Sequence, residues 1–220
     1  MSHSEPEPSS RLRLIEAAIL CFAKKGFDAT GIREIAQRAN ANSALVQYHF
    51  GGKTGLYGAA LSHIFRSRPV KVPMPPDSAE LPEARATAIR ILGEMIEAML
   101  NEFMACTDGG ELDRASLLMV TRELQAPRAD VSALILEHMR PYTDIMQGCL
   151  KILRPDLDAM TALDYTDSIF GQVIHLIDHL PLMRIVRGQP DFPKDLRAVA
   201  RHITEFSLRG IGIPEAFPGA

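Results

Sequence analysis

Thr30-Gly-Ile-Arg-Glu-Ile-Ala-Gln-Arg-Ala-Asn-Ala-Asn-Ser-Ala-Leu-Val-Gln-Tyr-His-Phe-Gly-Gly-Lys-Thr-Gly-Leu-Tyr57 is the stretch that decides the fold of this chain. Apolar residues at helical spacing from Ile32 to Ala39 predict a first helix, with Thr30 as its N-cap. Asn40 tolerates the left-handed conformation that ends a helix sharply. Asn42 can cap the next helix only two residues later. The stretch therefore begins with a short helix and a tight turn.

Two further helices follow that turn. The second is predicted from Ser43 to His49, because Val46 and Phe50 lie four residues apart and can pack on one side. After the Gly51-Gly52 turn, another helix is predicted from Thr54 to about Arg66. Short helices joined by a tight turn are typical of a helix-turn-helix DNA-binding motif.

The outward face of the second helix suits the major groove of DNA. Gln47 can pair with an adenine edge through two hydrogen bonds, and Ala44 or Leu45 can meet a thymine methyl group. Small residues let the helix approach the bases closely. The predicted base-reading residues are Ser43, Ala44, Leu45 and Gln47.

Phosphate contacts are expected beside this helix, because they supply most of the affinity and fix the register. Polar side chains cluster at its end and in the glycine turn, and the helix beginning at about Thr54 offers its N-terminal amides. The start of the earlier helix could do the same. The predicted phosphate-binding residues are Thr30, Tyr48, His49 and Lys53.

Four segments carry a resemblance to a known family: Ile15-Glu-Ala-Ala-Ile-Leu-Cys-Phe-Ala-Lys-Lys-Gly-Phe-Asp-Ala-Thr30, Ile32-Arg-Glu-Ile-Ala, Tyr48-His-Phe-Gly-Gly-Lys and Leu56-Tyr57. From about Arg11 to Arg66 the chain resembles the N-terminal domain of the TetR family of transcriptional regulators. The resemblance implies an all-α homodimer that binds a pseudo-palindromic double-stranded DNA operator. It also implies release by a small-molecule effector, usually to relieve repression. The chain departs from the family pattern at Asn40-Ala41, where Gly-Val is usual, and at Thr54, where an acidic residue is common.

The predicted organisation is a flexible N-terminus at residues 1–10, a helix-turn-helix DNA-binding domain at 11–67, and a helical ligand-binding and dimerisation domain at 68–220. The proline-rich run from Arg68 to Pro76 predicts a stiff extended linker. Charge follows the same division, since residues 1–72 hold ten Lys or Arg against five Asp or Glu, although the whole chain has a net charge of −3. A basic head on an acidic body would orient DNA toward the head.

The rest of the chain also has helical periodicity, and strand signals are weak throughout. Pro141 should kink or split one of these helices, because proline cannot donate the helical hydrogen bond. Helices are predicted at about Pro82–Met104, Asp113–Leu124, Asp130–Leu153, Met160–Leu180 and Lys194–Leu208.

Three segments of this second part carry a looser resemblance: Leu117-Leu-Met-Val-Thr-Arg-Glu-Leu-Gln-Ala-Pro127, Ile135 to Arg140-Pro141, and Phe170-Gly-Gln. They resemble the C-terminal domain of the CecR-like subgroup of the family. That resemblance implies a regulator of efflux, antibiotic sensitivity or related stress genes.

Two apolar stripes on the last two helices predict a four-helix dimer interface, to which each chain donates two helices. The alternative is that the stripes pack inside the monomer. A two-fold dimer would read two half-sites, which gives more specificity than one helix can. The first stripe is Ile169, Val173, Leu176, Ile177 and Leu180, and the second is Leu196, Val199, Ile203 and Phe206, with His202 beside it.

The candidate effector-binding residues are Arg122, His138, Tyr142, His175 and His179. For each of them, a surface charge or a satisfied internal hydrogen bond is the plainer alternative. His175 and His179 also have the spacing of a zinc chelate, with Asp178 nearby, which leaves open a metal-sensing regulator or an all-helical metal-dependent enzyme. Because no third strong ligand is apparent, we expect no enzyme, no resident metal and no cofactor.

Cysteine usage and hydropathy bear on the compartment. Cys21, Cys106 and Cys149 have no close spacing, so a disulfide scaffold is not expected; Cys21 fits a helix core, while redox sensing is the alternative for the other two. We recognise no signal peptide and no apolar run of about 20 residues. The sequence therefore predicts a cytoplasmic protein without a membrane partner.

Overall fold

A computed structural model of the protein describes residues 9–69, 71–77 and 83–213. Within these ranges all regular secondary structure is α-helical, which confirms the predicted all-α class. Most of the predicted flexible N-terminus, residues 1–8, lies outside the described residues, as does Pro82 at the predicted start of a helix. The helices are α1 (Ser10–Ala29), α2 (Ile32–Arg38), α3 (Ala44–Phe50), α4 (Lys53–Ser67), α5 (Ala84–Asp108), α6 (Glu111–Gln125), α7 (Ser132–Leu153), α8 (Ala159–Arg187) and α9 (Leu196–Gly210).

The chain divides into two compact units. The first combines residues up to 69 with residues 105–138, so α6 belongs with α1 to α4. Within it α1 packs against α2, α3, α4 and α6, and α3 packs against α4. The core of this unit is built from apolar side chains at helical spacing, among them Leu14, Ile19, Phe22, Ile35, Val46, Leu56 and Leu61. The division between domains at residue 67 remains a prediction.

The turn between α2 and α3 matches the sequence prediction. Asn40 has a positive φ of 47°, and the Asn42 side-chain oxygen accepts a hydrogen bond of 2.9 Å from the Ala44 amide. Gly51 and Gly52 also have positive φ angles, of 70° and 123°, a conformation that favours glycine. These angles end α3 and start α4 at Lys53, one residue earlier than predicted.

Thr30 does not cap α2, so the sequence prediction is wrong at this point. The N-cap position is Gly31, and no side chain caps it. Thr30 is only 1% exposed, and its hydroxyl donates to the carbonyl oxygens of Gly26, at 2.6 Å, and Cys21, at 3.3 Å. The hydroxyl therefore turns back onto α1, where the backbone leaves helical geometry at Gly26.

The second unit comprises residues 70–104 and 139 to the end of the chain. Pro141 lies inside α7, which continues through it to Leu153. Of the two predicted effects of the proline, a kink or a split, the split does not occur, and the kink stays a prediction. α8 starts where the Asp158 carboxylate accepts from the amides of Met160 and Thr161. It runs past the predicted end at Leu180 to Arg187, with a non-helical residue at His179 and a proline at 181.

The predicted stripe on α8 is largely core rather than surface. Ile169, Val173, Leu176 and Leu180 are all buried within a single chain, and Ile177 is half-buried. The stripe therefore packs inside the monomer, which is the alternative that the periodicity left open. On α9, Ile203 is buried while Phe206 is 62% exposed.

α8 is long and apolar enough to pass a length-and-composition test for a membrane span, with a mean hydropathy of 1.3 over 18 residues. Length and composition alone also fit core helices of soluble proteins. Five of its apolar side chains are buried in protein, and Asp178 and Arg184 are charged residues on the same helix.

Candidate nucleic-acid interface

α3 exposes polar and small side chains on one side, and its other side packs into the core. Val46 is fully buried, and it fixes which face of the helix points outward. Ser43, Ala44 and Gln47 are exposed, whereas Leu45 is half-buried. All four predicted base-reading residues thus lie on or beside α3, and three of them are on its exposed side.

The close approach of α3 to α4 depends on Gly55, which sequence reasoning missed. A Cβ at this position would overlap the carbonyl oxygen of Phe50. The first turn of α4 can therefore lie against the end of α3 only because residue 55 has no side chain. A glycine three residues after a glycine turn was the available signal, but its partner could not be read from the sequence.

Tyr48 and His49 extend the outward surface at the end of α3. Tyr48 is 81% exposed, and its ring meets the His49 ring edge to face at 4.9 Å. The Nε2 atom of His49 is hydrogen-bonded to the Ser10 hydroxyl at 3.4 Å. Both side chains are available at the surface, and His49 is partly held by α1.

Lys53 is positioned by α1. Its Nζ atom donates a 3.1 Å hydrogen bond to the Asp28 carbonyl oxygen and lies 4.5 Å from the centre of the Phe27 ring. A cation over an aromatic face is attracted by the ring's negative charge density. The ammonium group is thereby held beside the first turn of α4, where helix amides already favour an anion.

Thr30 is the predicted phosphate contact that this geometry does not support. Its side chain is buried, and its hydroxyl is used in the two bonds to α1. A phosphate contact from that hydroxyl would require both internal bonds to break. Tyr48, His49 and Lys53 remain as the accessible part of the predicted set.

A buried polar cluster joins α4 to α6, and no pattern in the sequence indicated it. The Tyr57 hydroxyl donates to the Glu123 carboxylate at 2.5 Å, and both side chains are buried. Burial, followed by the neighbouring Glu123, raises the pKa of Tyr57 well above its usual range. α4 is thus tied to α6 by a bond between residues 66 positions apart.

Family comparison agrees with this geometry. Residues 14–60 match the model of the family described as "Bacterial regulatory proteins, tetR family". The match covers α1 to α3 and the first half of α4, so it contains the whole exposed surface described above.

Curated proteins similar to part of this chain are named as regulators of transcription. The HTH-type transcriptional regulator BetI of Paraburkholderia phymatum is 39% identical over 56 residues, which are 26% of this chain and 29% of that protein. The HTH-type transcriptional repressor Rv3405c of Mycobacterium tuberculosis is 47% identical over 51 residues, 23% of this chain and 27% of that protein. The chain thus spans less than a third of the length of these relatives.

Solved structures match over nearly the whole chain, but at low identity. A TetR-like transcriptional regulator from Rhodococcus sp. RHA1 has a TM-score of 0.60 at 17% identity, covering 94% of this chain and 98% of that one. The transcriptional regulator FadR from Bacillus subtilis, solved in complex with stearoyl-CoA, has a TM-score of 0.57 at 17% identity, covering 90% and 98%. These likenesses concern the fold: a helix-turn-helix domain followed by a helical domain.

The candidate effector residues are distributed over both units. In the first unit Arg122 donates from Nη1 to the Phe22 carbonyl oxygen at 3.1 Å, and the His138 ring stacks on Phe65 at 3.8 Å. In the second unit the buried Tyr142 hydroxyl donates to Glu102 at 3.5 Å. Burial lowers the pKa of His138 and raises that of Tyr142.

His175 and His179 are both exposed on α8, and their rings stack with centres 4.7 Å apart. Asp178 is exposed beside them. Across residues 9–69, 71–77 and 83–213, no group of three or more His, Cys, Asp or Glu side chains is arranged to hold a metal ion. The spacing that suggested zinc therefore brings together two imidazoles and no third ligand.

A surface cavity of about 260 Å³ lies in the second unit, between α5 and α9. It contains none of the candidate effector residues. Its lining is Ile89, Arg90, Gly93, Glu94, Glu97, Arg197, Ala200, Arg201 and Thr204.

Proposed function

We propose that the protein is a DNA-binding transcriptional regulator that binds a pseudo-palindromic operator as a homodimer. In this proposal it acts in the cytoplasm as a repressor, and a small-molecule effector releases it from DNA. The observation that carries the proposal is the outward face of α3. There Ser43, Ala44 and Gln47 are exposed over a buried Val46, inside a domain that matches the tetR family.

The chemistry of this surface suits a major groove. Gln47 offers both a donor and an acceptor to an adenine edge, and the small Ala44 leaves room for a thymine methyl group. Tyr48, His49 and Lys53 lie around the same helix end and would hold the DNA backbone. The excess of Lys and Arg in residues 1–72 supplies a favourable field for DNA.

The proposal is tested by selecting random DNA duplexes with the purified protein and measuring binding of the selected duplexes at several salt concentrations. An enriched inverted repeat, bound more weakly as salt rises, is expected. Failure to enrich any sequence above random DNA contradicts the proposal.

Two variants assign the roles of the interface residues. Lys53→Ala should weaken binding on all duplexes and reduce the salt slope by about one, because one phosphate contact is lost. Gln47→Ala should cost about 1–3 kcal/mol on the selected operator and relax its sequence preference. Lys151→Ala and Gln147→Ala are matched controls, since both residues are exposed on α7 and should leave binding unchanged.

Dimerisation is proposed through exposed apolar residues at the end of α8 and on α9. Leu182, Ile185 and Val186 are more than half exposed, as is Phe206. Exposed apolar side chains of this kind are typical of a partner interface. Sedimentation should show a dimer that Ile185→Glu converts to a monomer. Leu136→Glu, at a leucine that is 66% exposed in the first unit, should stay dimeric.

The effector is proposed to be partly apolar, because the second unit is rich in Leu, Ile and Met. The complex of Bacillus subtilis FadR with stearoyl-CoA makes that acyl-CoA a sensible first probe. Release of the operator duplex on addition of stearoyl-CoA would support an acyl-CoA effector, and no release would exclude this ligand. The CecR-like subgroup remains a proposal based on Leu117–Pro127 and the segments that follow.

A further inference from the structure

Arg128 lies in the loop between α6 and α7 of the first unit. Its guanidinium carbon lies 3.7 Å from the centre of the Phe27 ring, which is the ring that also carries the Lys53 ammonium. Two cations thus share one aromatic side chain. One of them belongs to the proposed DNA interface, and the other follows α6.

Arg128 is held in place by three independent contacts. Its Nε and Nη2 atoms donate to the two carboxylate oxygens of Asp130, at 3.1 and 2.9 Å. Its backbone amide donates to Glu123 at 2.6 Å. A fork of this kind fixes the plane of the guanidinium group, so the group can lie flat on a ring.

The ion pair with Asp130 also makes the shared ring possible. Two positive charges on one ring would repel each other, but the carboxylate of Asp130 offsets the charge of Arg128. The contact with Asp130 raises the pKa of Arg128 and lowers that of Asp130, as a close pair does. Lys53 donates instead to the Asp28 carbonyl oxygen, which carries no full charge.

The backbone contact connects the same loop to α4. Glu123 accepts from the Arg128 amide with one oxygen and from the Tyr57 hydroxyl with the other. Tyr57 lies one helical turn after Lys53, so both residues are on one side of α4. The Phe27 ring contacts Tyr57 edge to face at 5.2 Å. Arg128 therefore connects the loop to α4 in two ways. Its backbone amide shares the Glu123 carboxylate with Tyr57, and its guanidinium group shares the Phe27 ring with Lys53.

We propose that Arg128 is a positioning residue for Lys53: by stacking on Phe27 it fixes the aromatic surface on which the Lys53 ammonium rests. A lysine held in this way loses less side-chain freedom when it binds a phosphate. The strength of the DNA contact then depends on a loop that follows α6. This inference rests on the proposed function, because Lys53 is taken to be a phosphate ligand.

The test is a double-mutant cycle on operator binding. Arg128→Met keeps an unbranched side chain but removes the planar cation. It should weaken operator binding roughly three- to tenfold, the range of an exposed to partly desolvated cation–π contact. In the Lys53→Ala background the same change should have no further effect, because the residue being positioned is absent.

The salt slope separates positioning from direct binding. If Arg128 itself contacted a phosphate, Arg128→Met would lower the slope by about one even in the Lys53→Ala protein. That result, or unchanged binding by the single variant, overturns the inference. Arg90→Met is the control for loss of one positive charge, since Arg90 pairs with Glu94 in the second unit and should not affect binding.

A second variant covers the case in which Arg128→Met does not fold. Phe27→Leu removes the ring while keeping a half-buried apolar side chain, and it should show the same coupling to Lys53. Additive effects of Phe27→Leu and Lys53→Ala would overturn the inference.

A measurement without DNA distinguishes failure of this inference from failure of the proposed function. In the full-length protein the Phe27 ring should shift the ε-methylene proton resonances of Lys53 upfield. Arg128→Met should move those resonances toward their values in Phe27→Leu. If the wild-type protein selects no operator, the proposed function fails, yet this NMR comparison still decides whether Arg128 positions Lys53. Resonances unmoved by Arg128→Met would overturn the inference on their own.

Discussion

The Tyr57 hydroxyl donates a 2.5 Å hydrogen bond to the carboxylate of Glu123, and both side chains are buried. This bond joins α4, which begins beside the proposed DNA interface, to α6, which starts more than forty residues later in the chain. The other Glu123 oxygen accepts from the Arg128 amide. A single carboxylate therefore links two helices and the loop after the second.

Tyr57→Phe should reduce the free energy of unfolding by about 1–3 kcal/mol, because it leaves a buried carboxylate oxygen without its donor. Ring packing on Phe22 and Phe27 is kept, so the loss reports the hydrogen bond. Chemical denaturation of the two proteins measures it. Tyr48→Phe is the control, since a phenol that is 81% exposed should change stability by no more than about 0.5 kcal/mol. Equal effects at both positions would contradict the linking role of Tyr57.

Gly55→Ala should be destabilising although alanine is the better helix former. A Cβ at residue 55 would overlap the Phe50 carbonyl oxygen, so α3 and α4 would have to separate, at a cost of about 1–3 kcal/mol. Operator binding should weaken as well, since α3 carries the proposed base-reading residues.

Gly58→Ala is the matched control on the same helix. Its Cβ would meet the nearest Val131 methyl at 3.9 Å, an ordinary contact, so the substitution should be neutral or stabilising by up to about 1 kcal/mol. If Gly55→Ala behaves like Gly58→Ala, the close approach of α3 to α4 does not require glycine.

Local patterns in the sequence predicted the helix-turn-helix correctly. The left-handed Asn40, the cap from Asn42 and the Gly51-Gly52 turn are properties of one or a few neighbouring residues, and each is found in the structure. The buried position of Val46 follows from helical spacing alone. Such features are readable because the partner of each group lies within a turn or two.

Features that depend on distant partners were not readable. Thr30 was expected to cap α2, but its hydroxyl finds the α1 carbonyl oxygens of Gly26 and Cys21. The spacing of the apolar stripe on α8 was predicted correctly, but the stripe packs inside the monomer and not in a dimer interface. Periodicity shows that a helix face is buried and does not show which surface covers it. No local pattern places Glu123 against Tyr57 or Arg128 against Phe27, and only the fold brings these residues together.

Native protein should resist thiol reagents. All three cysteines are buried, and burial raises the pKa of Cys149 to about 12 and also raises that of Cys21. Ellman's reagent at pH 8 should therefore label none of them within minutes, and all three after denaturation in guanidinium. Ser43→Cys, which places a thiol on the exposed side of α3, should react at once. Rapid labelling of Cys149 in the native protein would revive the redox-sensing alternative.

His138 should make the stability of the protein depend on pH below neutrality. Its ring stacks on Phe65 at 3.8 Å, and burial lowers its pKa from the ordinary value of 6.5. The folded state then binds the proton less readily than the unfolded chain does. As pH falls below about 6.5, the unfolded state gains protons first, so the free energy of unfolding declines until the pH passes the folded-state pKa. Above pH 6.5 the His138 ring is neutral in both the folded and the unfolded state, so its full contribution to the free energy of unfolding is present.

His138→Phe should remove that part of the pH dependence, because phenylalanine preserves a flat ring against Phe65 and cannot take up a proton. Urea denaturation of both proteins from pH 7.5 down to pH 5 measures the difference in slope. His202→Gln, at an exposed imidazole on α9, controls for loss of a histidine as such and should keep the wild-type slope. A slope retained in His138→Phe would mean that other groups cause it and that the half-buried His138 ring takes up its proton equally well in the folded and unfolded states. The stack with Phe65 would then contribute nothing to the acid sensitivity of the protein.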